Sequence, residues 1–343
     1  MPGTNRVPAG LASLAVIAAL AGCNPASTGG TETLSVACSQ TEDFCEGMVS
    51  AFTEATGVPA TYLGLGSGEV IARLQSNQGS GPEFDVWAGG QSEKHLVAEE
   101  LGFIEPYASP EAEDLDSEYV DSEGAWAGFY TDSLAFCVNT TGLADSGLET
   151  PSSWDDLTDP SYKDTVLLPN PHSVGTGYMA IWTQMVLNDG DENATMSYFK
   201  DLDENILQYS ESAANATLMV GRGEADVAIA LDSDCATAKQ SGMSDLETIY
   251  PDEGTGFEVG AVSVLSGTEN TALAQQFYDW VLTTDAQDLY PDFNSNAAPV
   301  NPGAKLGEGV PDQSQVNQVE WDAAEAADAE EGLLSRYTDD VQS

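Results

Sequence analysis

Short apolar runs alternate along the chain with stretches whose hydrophobic residues recur every three or four positions. Residues 34–37 read as a first strand, and Phe44, Met48, Val49 and Phe52 then mark one face of a helix that Gly57 closes. A second strand over 60–65 runs into Gly66-Ser67-Gly68-Glu69 and a helix bearing Val70, Ile71 and Leu74. A third, 84–87, leads through Ala88-Gly89-Gly90-Gln91 into another helix. Strand, small-residue turn and helix, repeated three times, predict a parallel sheet with crossover helices. Ligands of such sheets sit beyond the carboxyl ends of the strands, where these turns gather.

Residues 108–125 form an acidic surface stretch without clear periodicity, and a second α/β set follows a longer apolar strand at 133–139. Its clearest unit is a strand at 165–168, stopped by Pro169 and Pro171 and followed by His172-Ser173-Val174-Gly175-Thr176-Gly177. Tyr178, Ile181, Trp182, Met185 and Val186 then carry a helix. A helix start with small hydroxyl residues and free N–H groups either is an ordinary cap or holds an anion. A helix over 194–205, a strand at 226–231 and the turn Asp232-Ser233-Asp234-Cys235 continue the set. Residues 257–265 are long enough to cross back, and Phe277, Trp280 and Val281 mark a helix returning to the first sheet. The tail, 316–341, reads as an acidic helix with Trp321, Leu333, Leu334 and Tyr337 as apolar contacts. Two long strands passing between two sheets predict an α/β protein of two hinged lobes closing on a ligand.

Charge narrows the partners. The 343 residues include 57 acidic and 9 basic ones, a net charge of −48. That field makes nucleic acid and anionic lipid surfaces poor partners. The N-terminus sets the compartment: Arg6, an apolar run over 11–20 and then Leu20-Ala21-Gly22-Cys23 match an export signal too short to span a bilayer permanently. Leu-Ala-Gly-Cys resembles a bacterial lipobox, which implies cleavage before Cys23 and lipidation of its thiol. Residues 1–22 are then a signal peptide, and 23–32, rich in Ser, Thr and Gly, a tether. Three pairings of Cys38, Cys45, Cys137 and Cys235 are open in an exported chain. Cys38–Cys45 is favoured, joining the first strand's end to the next helix's first turn, which leaves Cys137–Cys235. No cysteine spacing carries a metal signature.

Several motifs in order carry a resemblance. They are Phe52-Thr53-Glu54-Ala55-Thr56-Gly57, Gly66-Ser67-Gly68-Glu69, Asp85-Val86-Trp87-Ala88-Gly89-Gly90, Gly175-Thr176-Gly177-Tyr178, Gly223-Glu224, residues 251–258 and Asp279-Trp280. Over about 33–341 the chain resembles the solute-binding lipoproteins of ABC importers, in the branch with ferric-iron, sugar-phosphate and phosphonate binders. The resemblance implies a two-lobed periplasmic-binding-protein-like fold with a hinge and an inter-lobe cleft. Expected bounds are 33–135 with 262–312 for lobe 1, and 137–260 with 313–343 for lobe 2. It also implies a monomer outside the cytoplasm, lipid-anchored to the bacterial membrane, delivering a small molecule to a permease and its ATPase, with no cofactor and no catalysis.

Ligand type follows from the same alignment of motifs. Iron binders of the family place adjacent tyrosines where this chain has Ser233 and Asp234; a His and a carboxylate of theirs fall on Thr41 and Gly90. That set disfavours ferric ion. The expected pocket holds Ser39, Thr41, Ser67, Gly89, Gly90, Ser173, Thr176 and Gly177, with Ser233, Asp234 and Glu258 opposite. Hydroxyls and N–H groups suit a phosphate or phosphonate, and carboxylates suit sugar hydroxyls or an amine. Arg73 either reaches the anion or forms a surface ion pair. Iron or a polyamine held by acidic residues and Trp87, Trp126 or Tyr178 is the alternative. An exported hydrolase is the remote one, with His95 on an expected helix surface and His172 in a loop offering no placeable catalytic set.

Overall fold

The computed structural model describes residues 33–310 and 312–342. The expected signal peptide, the expected tether and Cys23 lie outside the described residues. Ten strands occur in chain order: β1 (Leu34–Ser39), β2 (Ala60–Gly64), β3 (Val86–Gln91), β4 (Ala127–Asn139), β5 (Val166–Pro169), β6 (Ile206–Ser210), β7 (Val227–Leu231), β8 (Leu246–Ile249), β9 (Phe257–Val264) and β10 (Ala298–Pro299). Between and after them run α1 (Glu42–Thr56), α2 (Ser67–Ser76), α3 (Ser92–Glu100), α4 (Thr140–Ser146), α5 (Gly175–Leu187), α6 (Glu192–Asp203) and α7 (Ala213–Gly221). The remainder are α8 (Asp232–Gln240), α9 (Thr271–Leu282), α10 (Thr284–Gln287) and α11 (Ala323–Asp340).

Strand order is β2-β1-β3-β9-β4-β7-β5-β6, with β8 and β10 also on β4. β1 lies parallel to β2 and β3, and β5 parallel to β6 and β7, as the strand–turn–helix repeats require. β4 joins the two parallel sets. From Ala127 to Ser133 it pairs antiparallel with β9, and from Leu134 to Asn139 with β7 and β8. Every residue of β4 is buried, so its sequence lacks the polar alternation of a half-exposed strand. Each half has its own core. Val36, Phe44, Phe52, Phe129 and Phe277 centre the first, and Phe136, Trp154, Ile181, Phe199 and Ile229 the second. Cys38–Cys45 and Cys137–Cys235 are both bonded, each within one half.

Four expectations differ from what forms. β9 pairs along its whole length with β3 and the first part of β4, so it does not cross between halves. The crossing falls just ahead of it, where Leu134 N–H donates to the Gly256 carbonyl and Thr255 Oγ1 donates to the Leu134 carbonyl. Residues 257–260 thus belong with the first half's sheet rather than with residues 137–256. The acidic stretch at 108–125 contains two 3-10 turns, Pro110–Ala112 and Ser117–Tyr119. The tail helix starts only at Ala323, where Asp322 accepts from the N–H groups of Ala324 and Glu325. Finally, His95 is not on a helix surface. It is fully buried, stacked on Trp87 at 3.9 Å between ring centroids, and bonded to Ser263 Oγ and the Gly89 carbonyl. Burial pushes its pKa down to about 3, and the neutral ring serves packing.

Candidate functional site: a cleft ringed by helix starts

A cleft of about 500 Å³ opens where the carboxyl ends of both parallel sets meet. From the first half, Ser39, Thr41, Ser67 and Gly90 line it; from the second, Ser173, Thr176, Ser233 and Asp234, with Glu258 on β9. Gly89 and Gly177 are not among its lining residues. Gly89 turns inward to accept from His95, and Gly177 packs on Pro169 and Pro171.

Four of the helix starts at this cleft share a chemical property. α1, α2, α3 and α5 begin at Thr41, Gly66, Gln91 and Val174, and none has a side chain accepting from its first-turn N–H groups. α7, which also starts at the cleft, differs in being capped by Ser212. Away from the cleft caps are the rule: Asn139, Asp191, Thr283 and Asp322 cap α4, α6, α10 and α11, with α9 the exception. An uncapped start leaves orphan N–H donors at the positive end of the helix dipole. Four of them around one cavity make a site for negative charge. α8 also lacks a cap, but Asp232 in its first turn accepts from the Ser233 N–H, so that start is already satisfied.

Close approach is built in by glycine. Gly90 sits at φ 78°, and a Cβ there would lie 2.2 Å from Ser67 Oγ. Opposite, a Cβ on Gly175 would meet the Gln91 side-chain amide at 2.1 Å, so this glycine lets β3's end press against the start of α5.

Hydroxyl roles separate on inspection. Ser39 Oγ accepts from the Trp87 indole N–H at 2.9 Å, which leaves the serine's own proton for a guest. Ser173 does not cap α5; its hydroxyl donates to Glu211 Oε2 at 2.9 Å. Glu211, Ser212 and Ala213, at the start of α7, also line the cleft, as do Gln91, Lys94, Tyr130 and Glu330. These were not anticipated from the sequence. Ser210-Glu211-Ser212 ahead of an apolar helix carried a readable cap signal, whereas Tyr130 lies inside a continuously buried strand.

The floor is acidic, and burial raises the pKa of each of its carboxyl groups. Burial, then Glu93, Asp234 and Asp232, push Glu258 up to about 8. Burial, then Asp232, bring Asp234 to about 7. Asp132, opposite Glu258 in the β4–β9 register, is fully buried with neither carboxylate oxygen bonded, and burial raises its pKa far above the usual range. Asp232 beside it accepts from Ser133 and Ser233 N–H, Tyr250 OH and Gln313 Nε2. At neutral pH Glu258 is therefore a carboxylic acid, able to donate one hydrogen bond and accept others.

Most of the other candidates fall elsewhere. Arg73 pairs with Glu69 at 3.1 Å and Glu83 at 3.2 Å and does not line the cleft. Trp87, Trp126 and Tyr178 are buried and form no aromatic wall for a cation there. His172 does line the cleft, exposed at its edge and bonded to Thr338. Among the described residues no group of three or more His, Cys, Asp or Glu side chains is placed to hold a metal ion.

Two parallel α/β halves joined by a shared strand, with ligand chemistry gathered between them, define a two-lobed binding protein of the periplasmic type. Residues 81–327 match the model of the bacterial extracellular solute-binding protein family, and the chain belongs to that family. Among solved structures it is similar to the periplasmic binding protein AfuA from Actinobacillus pleuropneumoniae with exogenous fructose-6-phosphate bound. That similarity is 31% identity and a TM-score of 0.85, over 90% of this chain and 98% of the other. An uncharacterised Haemophilus influenzae protein is 31% identical over 98% of both chains. The Fe(3+)-binding periplasmic protein of Serratia marcescens is 24% identical over 77% of this chain and 78% of its own. Family membership makes this a solute-binding protein of the ABC-importer type, with a small-molecule ligand and a permease partner.

Proposed function

We propose that the chain captures a small organic phosphate, a sugar phosphate or a related phosphonate, and delivers it to an ABC permease. The carrying observation is the set of four uncapped helix starts, α1, α2, α3 and α5, around one cleft. Phosphate oxygens take those N–H groups and the Ser39 and Ser67 hydroxyls. The ligand's hydroxyl-bearing end meets Asp234 and Glu258, and the protonated Glu258 adds a donor without repelling the anion. The AfuA likeness supports a sugar phosphate, since that structure holds fructose-6-phosphate. Ferric ion, suggested by the Serratia relative, would find Tyr130 as the cleft's one phenolate donor.

In the same reading, Cys23 carries the lipid, 23–32 tethers the protein, and the monomer works outside the cytoplasm. The lobes follow the sheet halves, with the crossings at Ser133–Leu134 and ahead of Phe257 as hinge.

A thermal-shift series with fructose 6-phosphate, 2-aminoethylphosphonate, spermidine and ferric citrate tests this. A ligand at 100 times its Kd adds about 2.7 kcal/mol of stability. Stabilisation by the phosphate or phosphonate is expected; stabilisation by spermidine or ferric citrate alone overturns the reading. Recovery of the bound compound chemically unchanged after long incubation separates binding from hydrolysis.

A further inference from the structure

Among the described residues Lys94 is the one lysine or arginine lining the cleft. It stands in the first turn of α3, behind one of the uncapped starts, and both carboxylate oxygens of Glu330 accept from its ammonium. The two side chains are only 17% and 19% exposed. Glu330 comes from α11, which is rooted in the second half's core by Ala326, Leu333 and Tyr337 and by Tyr178 OH donating to the Ala326 carbonyl. α3 belongs to the first half, where Ala98 enters its core. The ion pair therefore bridges two cores at the wall of the cleft. A second bridge lies beside it: Trp321, just ahead of α11, donates its indole N–H to Glu93, the neighbour of Lys94. Trp321 packs against both cores.

An anion in this cleft meets Glu69, Glu211 and Glu330 as well as the acidic floor, and a single side-chain cation. Two anions cannot share one half-buried ammonium without strong repulsion. We propose that Glu330 and the ligand's phosphate compete for Lys94, so that loading transfers Lys94 to the phosphate and loosens α11 from α3. Exchange keeps one ion pair throughout, which a neutral sugar cannot do. The device thus selects for the charged group as well as signalling its arrival through the tail helix. This inference rests on the organic-phosphate reading above.

The test uses the mature protein and its K94M, K94R, E330Q and K94M/E330Q variants, with melting curves confirming that each folds. Calorimetry with fructose 6-phosphate should show K94M binding weaker by about tenfold or more, the loss of one charge-assisted bond. K94R should retain most of the affinity. E330Q should bind tighter than wild type, and that gain should vanish in the double variant. Hydrogen exchange over residues 323–340 should rise when wild type is loaded, and should already be raised in E330Q without ligand. Equal binding by K94M and wild type overturns the proposal, as does E330Q weakening binding like K94M, which would make the pair a mere strut. If wild type binds neither fructose 6-phosphate nor 2-aminoethylphosphonate, the organic-phosphate reading fails and the exchange with it; phosphate binding that is indifferent to K94M overturns the exchange alone.

Discussion

Glu258 and Asp132 face each other across β4 and β9, a like-charge pair directly opposite in register. Such a pair persists because burial keeps the proton on. In the unfolded chain a glutamate releases its proton near pH 4.5, whereas folded Glu258 holds it to about 8. Between those values the folded state binds the extra proton, so stability is highest below pH 4.5 in this respect and falls as pH rises towards 8. The melting temperature of the ligand-free protein should decline from pH 5 to pH 8, and E258Q should flatten that decline. Binding carries the same sign. Above pH 8 a sugar phosphate is already a dianion, and an ionised Glu258 repels it. Affinity should fall by up to about tenfold per pH unit there and less steeply in E258Q, as titration calorimetry would show. Ser39 and Ser67 were legible from sequence because strand-to-helix turns announce themselves. Asp132 and Tyr130 were not, because an all-buried strand shows no local sign of which face meets a ligand.

At the scale of elements, the cleft is made by what the helices lack. A side-chain cap adds about 1 kcal/mol to a helix, and α1, α2, α3 and α5 forgo it where a ligand can supply the acceptor. The sequence pointed to the start of α5 but assigned Ser173 to it; in the folded chain that hydroxyl turns to Glu211, 38 residues on, between β6 and α7. No local rule reports such a partner. The disulfides act at this scale too. Cys137–Cys235 spans 98 residues and ties β4 to α8, and chain-entropy arguments assign it roughly 4–5 kcal/mol. Cys38–Cys45, spanning 7, is assigned about 2 kcal/mol. Denaturant unfolding should show the double alanine variant of the longer bridge as the less stable, while phosphate affinity changes little because each bridge stays within one half. A large loss of affinity with unchanged stability would place a bridge across the hinge instead.

For the whole molecule, charge and site oppose one another. A net −48 repels a phosphate from a distance, while the helix starts attract it only within the cleft. Screening reaches about 10 Å at 0.1 M salt, so sodium chloride should weaken the far repulsion first. Stopped-flow association of a sugar phosphate should accelerate between 10 mM and 150 mM salt; deceleration would mark a cation as the guest. The sequence by itself determined the α/β class, the two strand–turn–helix sets and most hydroxyls of the cleft, because hydrophobic period and turn chemistry are local. Only tertiary structure decided that β9 stays with the first sheet, that His95 is buried beneath Trp87, and that Lys94 meets Glu330 from a helix more than two hundred residues away. Those pairings depend on which surfaces two separate cores bring together, and no spacing along the chain encodes that.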